Sequence, residues 1–103
     1  MYKLNDLDLR GCNLSYSSLR NANLSNSNLS GANLTGVDLS LADLGNVNLS
    51  GASLNGAILY GTYLCGVNFE GVEINSFTKI SRSTYVDPEQ LTYLILKGLK
   101  YAY

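Results

Sequence analysis

The sequence predicts an all-β solenoid, a coil of short extended sides stacked in parallel, and three observations predict it. Leu recurs at every fifth position from Leu4 through Leu64, then gives way to Phe69 and Ile74 in the same register. The residue two before each of these is small or medium-sized and mostly apolar, as at Ala22, Ala32, Val37, Ala42, Val47, Ala52, Ala57, Val67 and Val72. The two residues that follow favour Ser or Thr and then Gly or Asn. A period of five fits neither a 3.6-residue helix nor a continuous strand, but it suits three extended residues followed by a two-residue corner.

Within such a unit, residues two apart point to the same side, so Leu and the small residue face inward together while the residue between them faces out. That outward residue is Asn or Asp in nine of fifteen units, including Asp8, Asn13, Asn23 and Asn48. Gly and Asn at the corner supply backbone conformations that a Cβ discourages. Fifteen consecutive units cover residues 2–76, and no single coil could hide its Leu alone, so the stack must fold cooperatively.

Written Ala-Asn-Leu-Ser-Asn at 22–26 and Ala-Asn-Leu-Thr-Gly at 32–36, the units resemble the A-(D/N)-L-x-x signature of the pentapeptide-repeat family. The resemblance spans roughly three quarters of the chain. It implies a right-handed quadrilateral parallel β-helix with twenty residues per coil, hence about four coils. Gly11, Gly31, Gly51 and Gly71 stand one such coil apart and would form one corner column. The outward Asn28, Asn48 and Asn68 would stack likewise, and are expected to hydrogen-bond along the rod.

After Ser76 the pattern fails. Phe77 could take the inward small position, but the next central site would be Lys79, unsuited to a dry interior. The chain therefore divides into a β-helix over 2–76 and a loop, capping helix and tail over 77–103. Asp87-Pro88-Glu89-Gln90 reads as a helix start, with Asp as N-cap, Pro at the first position and acidic residues at the positive end of the dipole. A helix from about Pro88 to Lys97 should stop near Gly98. Its stripe of Leu91, Leu94, Ile95 and Leu99 is expected to cover the last coil and shield its strand edges. The opposite end carries no helix. It is blunted by Lys3, Asn5 and Asp6, or covered by another chain, or preceded by further sequence.

The remaining features bound function. A net charge of −1 suggests no basic nucleic-acid surface. The longest apolar run near the C-terminus, Leu94 to Leu96, is far short of a membrane span, and no leader-like segment opens the chain. Cys12 and Cys65 are too few for a disulfide framework and would lie nearly three coils apart, about 13 Å along the axis, too far to pair with one another. A cytoplasmic protein is expected. There is no His, no phosphate-binding glycine loop, no metal-spaced cluster and no nucleophile elbow. Asp38 and Asp43 fall on different sides of the coil and read as solvated. No catalytic residue, cofactor or metal is assigned.

Four residues break the polar outer surface. Leu41, Ile58, Tyr60 and Tyr63 all take outward positions around one corner in neighbouring coils, and such clusters mark contact, either with the protein's own tail or with a partner. Tyr93, Tyr101 and Tyr103 add aromatic surface to the tail and predict a homodimer paired through it about a two-fold axis. The expected function is a non-catalytic protein-binding or scaffolding solenoid whose flat faces meet a protein partner. The resemblance implies two alternatives. One is a DNA-mimic modulator of a topoisomerase, for which six acidic and three basic side chains over 2–76 give little negative charge. The other is the targeting domain of a secreted bacterial effector or larger protein.

Overall fold

A computed structural model describes residues 2–101, with only the backbone of Tyr101. The chain winds into a right-handed quadrilateral parallel β-helix with a short C-terminal helix. Parallel bridges one coil apart define four walls. Lys3, Asn23, Asp43 and Tyr63 mark the first wall, and Asp8, Asn28, Asn48 and Asn68 the second. Asn13, Asn33, Ser53 and Glu73 mark the third, and Ser18, Asp38 and Ile58 the fourth. Each rung bonds to the next in the slanted manner of parallel strands, as where the Leu24 N–H donates to the Asp43 carbonyl at 2.8 Å and the Asp43 N–H to the Ala22 carbonyl at 2.9 Å.

The interior is the Leu column and its small companions. Every Leu of that column from Leu24 to Leu64 is buried, together with Phe69, Ala22, Val37, Val47 and Val72. Leu4, Leu9 and Leu14 in the first coil are only half-buried, because nothing stacks beneath them among the described residues.

The corners explain the fifth position. All fourteen residues there from Asp6 to Gly71 have φ between 59° and 75°. Thirteen of the fourteen bends close as tight turns like the one in which the Ala32 N–H returns to the Leu29 carbonyl at 3.0 Å, a shape whose third residue needs a left-handed backbone. At the Asp6 corner the Ser27 hydroxyl bridges instead, accepting from the Leu7 N–H and donating to the Leu4 carbonyl. Eight of the fourteen are Gly and four are Asn or Asp, the residues that tolerate it. Tyr16 and Leu41 are the two exceptions.

The outward Asn and Asp side chains do not run along the rod as expected. Each turns into its own corner and accepts a hydrogen bond from the N–H two residues on, at 3.0 Å from Ser50 to Asn48, 3.0 Å from Ser30 to Asn28 and 2.9 Å from Gly45 to Asp43. Among the described residues none of them bonds to its counterpart one coil away. The reason is proximity: the corner leaves that N–H without a backbone acceptor, and it lies nearer than an amide one interstrand spacing above.

The coil also does not end at Ser76. Lys79 pairs with Ile58 and Tyr85 with Tyr63, so the fourth wall gains another rung and the first wall a fifth. One extra residue in each of the corners 75–77 and 81–83 shifts the frame, so the inward pair becomes Thr78 and Ile80 while Lys79 points out. Phe77, expected inside, is 71% exposed. The inward hydroxyls find acceptors, Thr78 on the Leu54 carbonyl and Thr84 on the Leu59 carbonyl.

Helix α1 (Pro88–Leu96) then replaces the second and third walls of the last coil. Its start lies near Phe69 and Glu70 at the top of the second wall, and Gly98 sits close to the Ile74 carbonyl at the top of the third. Nine helical residues span about 14 Å, close to the diagonal of a square whose sides are three extended residues, about 10 Å. Past Gly98, strand β2 (Lys100–Tyr101) pairs in parallel with β1 (Lys79–Ile80), Lys79 opposite Lys100, and adds a fifth rung to the fourth wall. Leu94 and Leu99 are buried under this cap, whereas Ile95, expected in the same stripe, is 45% exposed. Asp87 stands at the N-cap without capping by its side chain; its carboxylate instead accepts from the Gly66 N–H at 3.1 Å and ties the helix start to the coil below.

Candidate functional site

The four walls share one interior but differ outside. The second and third present Asn, Asp, Ser and Glu. The fourth presents Ser18, Asp38, Ile58, Lys79 and Lys100 in a column, flanked at both corners by large apolar residues. Leu41 and Tyr60 occupy the corner that leads to the first wall, 56% and 38% exposed. Ile58 lies half-buried at the centre of the fourth wall. Tyr63 stands on the adjoining first wall, 45% exposed, with Tyr85 above it at a ring separation of 6.1 Å and a tilt of 41°. These four expected residues therefore come together around one corner, where the tail meets them through Lys79 beside Ile58, Tyr85 beside Tyr63 and Ser83 close to Gly61. Tyr93 lies elsewhere, in a shallow hollow of about 380 Å³ between α1 and the second wall with Glu70 and Glu89. Tyr103 and the side chain of Tyr101 lie outside the described residues.

The nearby Cys65 side chain raises the Tyr63 phenol above its ordinary range, and burial, Asp43 and Asp87 push the same way. Arg20 pairs with Asp38 at 3.3 Å on the fourth wall. Burial pushes the Asp38 carboxyl up, but donors from Ser40 and Arg20 outweigh it and hold it below the usual range. Cys12 and Cys65 are free thiols. Among the described residues no group of three or more His, Cys, Asp or Glu side chains converges on a metal position. None of the described helices is long and apolar enough to cross a membrane.

The opposite corner of the fourth wall escaped the sequence reading. Tyr16 is 78% exposed at φ 59°, and its ring fills the space that a Cβ on Gly36 would need. Phe77 projects from the same corner column at the top of the coil. Between the two rings runs a groove of about 280 Å³, floored by Gly36 and Gly56 and edged by Thr35, Asn55 and Asn75. The Asn75 oxygen is used, accepting from Gly56 at 3.1 Å and Phe77 at 3.0 Å. Leu41 mirrors Tyr16 across the wall, lying on Gly61 at φ 62°. An aromatic in a slot that holds Gly, Asn or Asp at every other corner but that of Leu41 was a signal present in the sequence at Tyr16; Phe77 was hidden by the frame shift.

Comparison with known proteins agrees with this architecture. A family model described as pentapeptide repeats matches residues 3–40 and 32–71 in eight copies. No curated protein matches the sequence significantly. The crystal structure of alr5209, a pentapeptide repeat protein from Nostoc PCC 7120, is 34% identical over 97% of this chain and 80% of its own, with a TM-score of 0.87. A pentapeptide repeat protein from the thylakoid lumen of Arabidopsis thaliana, AT2G44920, is 24% identical over 93% of this chain and 81% of its own, with a TM-score of 0.71, a likeness of fold. With its repeat matched over more than half its length and its coil reproduced by these relatives, the chain is a member of the pentapeptide-repeat family.

Proposed function

We propose that this protein is a non-catalytic binding module that engages a protein partner through the fourth wall and its two corners. One observation carries the reading. Tyr16 and Leu41 hold left-handed backbone where every other corner from Asp6 to Gly71 has Gly, Asn or Asp, and both side chains are spent on solvent-exposed surface. A strained residue that its own chain leaves uncovered suggests contact with something else. The absence of His and of any nucleophile motif supports a role without catalysis. Two free cysteines fit a cytoplasmic setting. The coil's weak negative charge, and the positive charges on this wall, argue against mimicry of DNA. The test is affinity capture from the source cell with the wild type and with Tyr16→Asn plus Leu41→Asn. A set of proteins retained by the wild type and lost by the folded variant is expected; an identical set from both would overturn the reading.

The tail supports a second contact. Ile95 and Leu96 are 45% and 82% exposed on α1, a patch suited to pairing with its own copy in a homodimer. Light scattering during size exclusion should give twice the 11.1 kDa chain mass, and a mass of one chain across a wide concentration range would remove the dimer.

A further inference from the structure

We infer that the fourth wall takes an extended acidic peptide segment with an apolar anchor, an assignment that rests on the binding role proposed above and names the chemistry of the partner. Positive charge gathers on one wall of an otherwise acidic protein. Arg20, Lys79, Arg82 and Lys100 lie on the fourth wall or its corners, four of the seven basic residues, with Asp38 the one acidic residue among them. That surface carries a net +3 while the rest of the chain carries −4. Lys79 and Lys100 are both exposed and stand side by side on adjacent parallel rungs, which places two like charges one interstrand spacing apart. Side-by-side lysines repel, and a carboxylate laid across them relieves that repulsion.

Size selects an extended segment. Five rungs on this wall span about 19 Å, and a wall is about 10 Å wide. Even with its corners this is well short of the roughly 800 Å² per partner of a standard interface between folded proteins. It matches the length of about six extended residues. The apolar features are placed for such a segment: the groove of about 280 Å³ between Tyr16 and Phe77 receives an aliphatic, aromatic or proline side chain, and Ile58 and Leu41 extend the dry surface across the wall. Asn55 at the edge of the groove makes no side-chain hydrogen bond among the described residues and can donate to a peptide carbonyl. Rows of cations long enough for a polyphosphate backbone are absent from the wall, since Arg20 is engaged by Asp38.

The experiment is selection of a displayed library of random peptides, about ten residues long, on the full-length protein, followed by fluorescence anisotropy of the best synthetic peptide. Enriched sequences should combine Asp and Glu with an aromatic, aliphatic or proline residue. Reversing charge with Lys79→Glu plus Lys100→Glu should weaken binding about tenfold or more, Tyr16→Asn several-fold, and added salt should weaken it in the wild type. Glu73→Gln on the third wall should change nothing. Enrichment without an acidic bias, no enrichment, or binding indifferent to the fourth-wall variants would overturn the inference. If peptides bind but map to another wall, a protein-binding role stands and this assignment falls. Tighter binding of oligo-dT or phosphatidylserine vesicles, lost on the same charge reversal, would give the wall to those anions and overturn both readings.

Discussion

The second and fourth walls of the coil rest on the same inner column and differ only where they meet water. The second wall places Val47, Leu49, Val67 and Phe69 inside, and outside sets Asn28, Asn48 and Asn68, each closing its own corner, with Gly11, Gly31, Gly51 and Gly71 following in a column at φ 67° to 68°. The fourth wall places Val37, Leu39, Ala57 and Leu59 inside, and outside it sets Ile58 and two lysines between corners that carry Tyr16 and Leu41. The interior is equally dry behind both. The inward alternation and the left-handed corners therefore make the rod, and the outward positions are free to be spent on contact. Strain at Tyr16 and Leu41 is tolerated because rungs of regular ladder hold the corners in place.

This division is broken most severely from the inside. Leu44 is fully buried in the middle of the stack, so Leu44→Asp places an unpaired charge among apolar neighbours, costs several kcal/mol and should abolish the folded state. Ile58→Asp, an outward change on the fourth wall, should leave the melt close to wild type. Circular dichroism melts decide it: a Leu44→Asp protein that melts like the wild type would show the register to be wrong.

A smaller effect tests the polar wall. Asn48→Ala removes the acceptor for the Ser50 N–H and should cost about 1 kcal/mol, whereas Asn48→Asp keeps that acceptor and should be nearly neutral. Equal damage from both, read in urea unfolding, would mean that the amide donor matters and would restore a ladder along the rod.

The smallest effect lies in the first coil, where Arg10 grips Asp8 at 2.8 and 2.7 Å. The side-chain bond from Arg10, followed by the bond from its backbone N–H, lowers the Asp8 carboxyl from 3.8 to about 2. A depressed carboxyl contributes stability above its unfolded value and loses it as pH falls through its folded value, here between about 4 and 2. The pair is fully exposed, so its share of the acid loss is slight. Arg10→Gln should flatten the melting temperature only in that window; an unchanged profile would show that the pair adds nothing.

The repeat was legible because one signal, Leu at every fifth place, fixes inward direction, corner position and stacking together. The outward apolar residues Leu41, Ile58, Tyr60 and Tyr63 were legible as exceptions to that rule. What lay beyond it was lost when spacing changed by a single residue. With one extra residue at 75–77, Lys79 reads as an interior residue although Ile80 takes that place, and Phe77 reads as buried although it walls a groove. Lys100 was invisible as part of the fourth wall because its position depends on α1 crossing the coil's end and returning the chain beside Lys79. Local period predicts neighbours twenty residues apart, and it says nothing of contacts made through a helix of a different rise.

The most direct test of the central claim is one protein measured twice. Tyr16→Asn with Leu41→Asn gives both strained corners a residue suited to left-handed backbone, so the account predicts a higher melting temperature, by up to about 1 kcal/mol of stability per corner, together with loss of partner and peptide binding. A lower melting temperature with binding intact would contradict it, and would make Tyr16 and Leu41 parts of the rod.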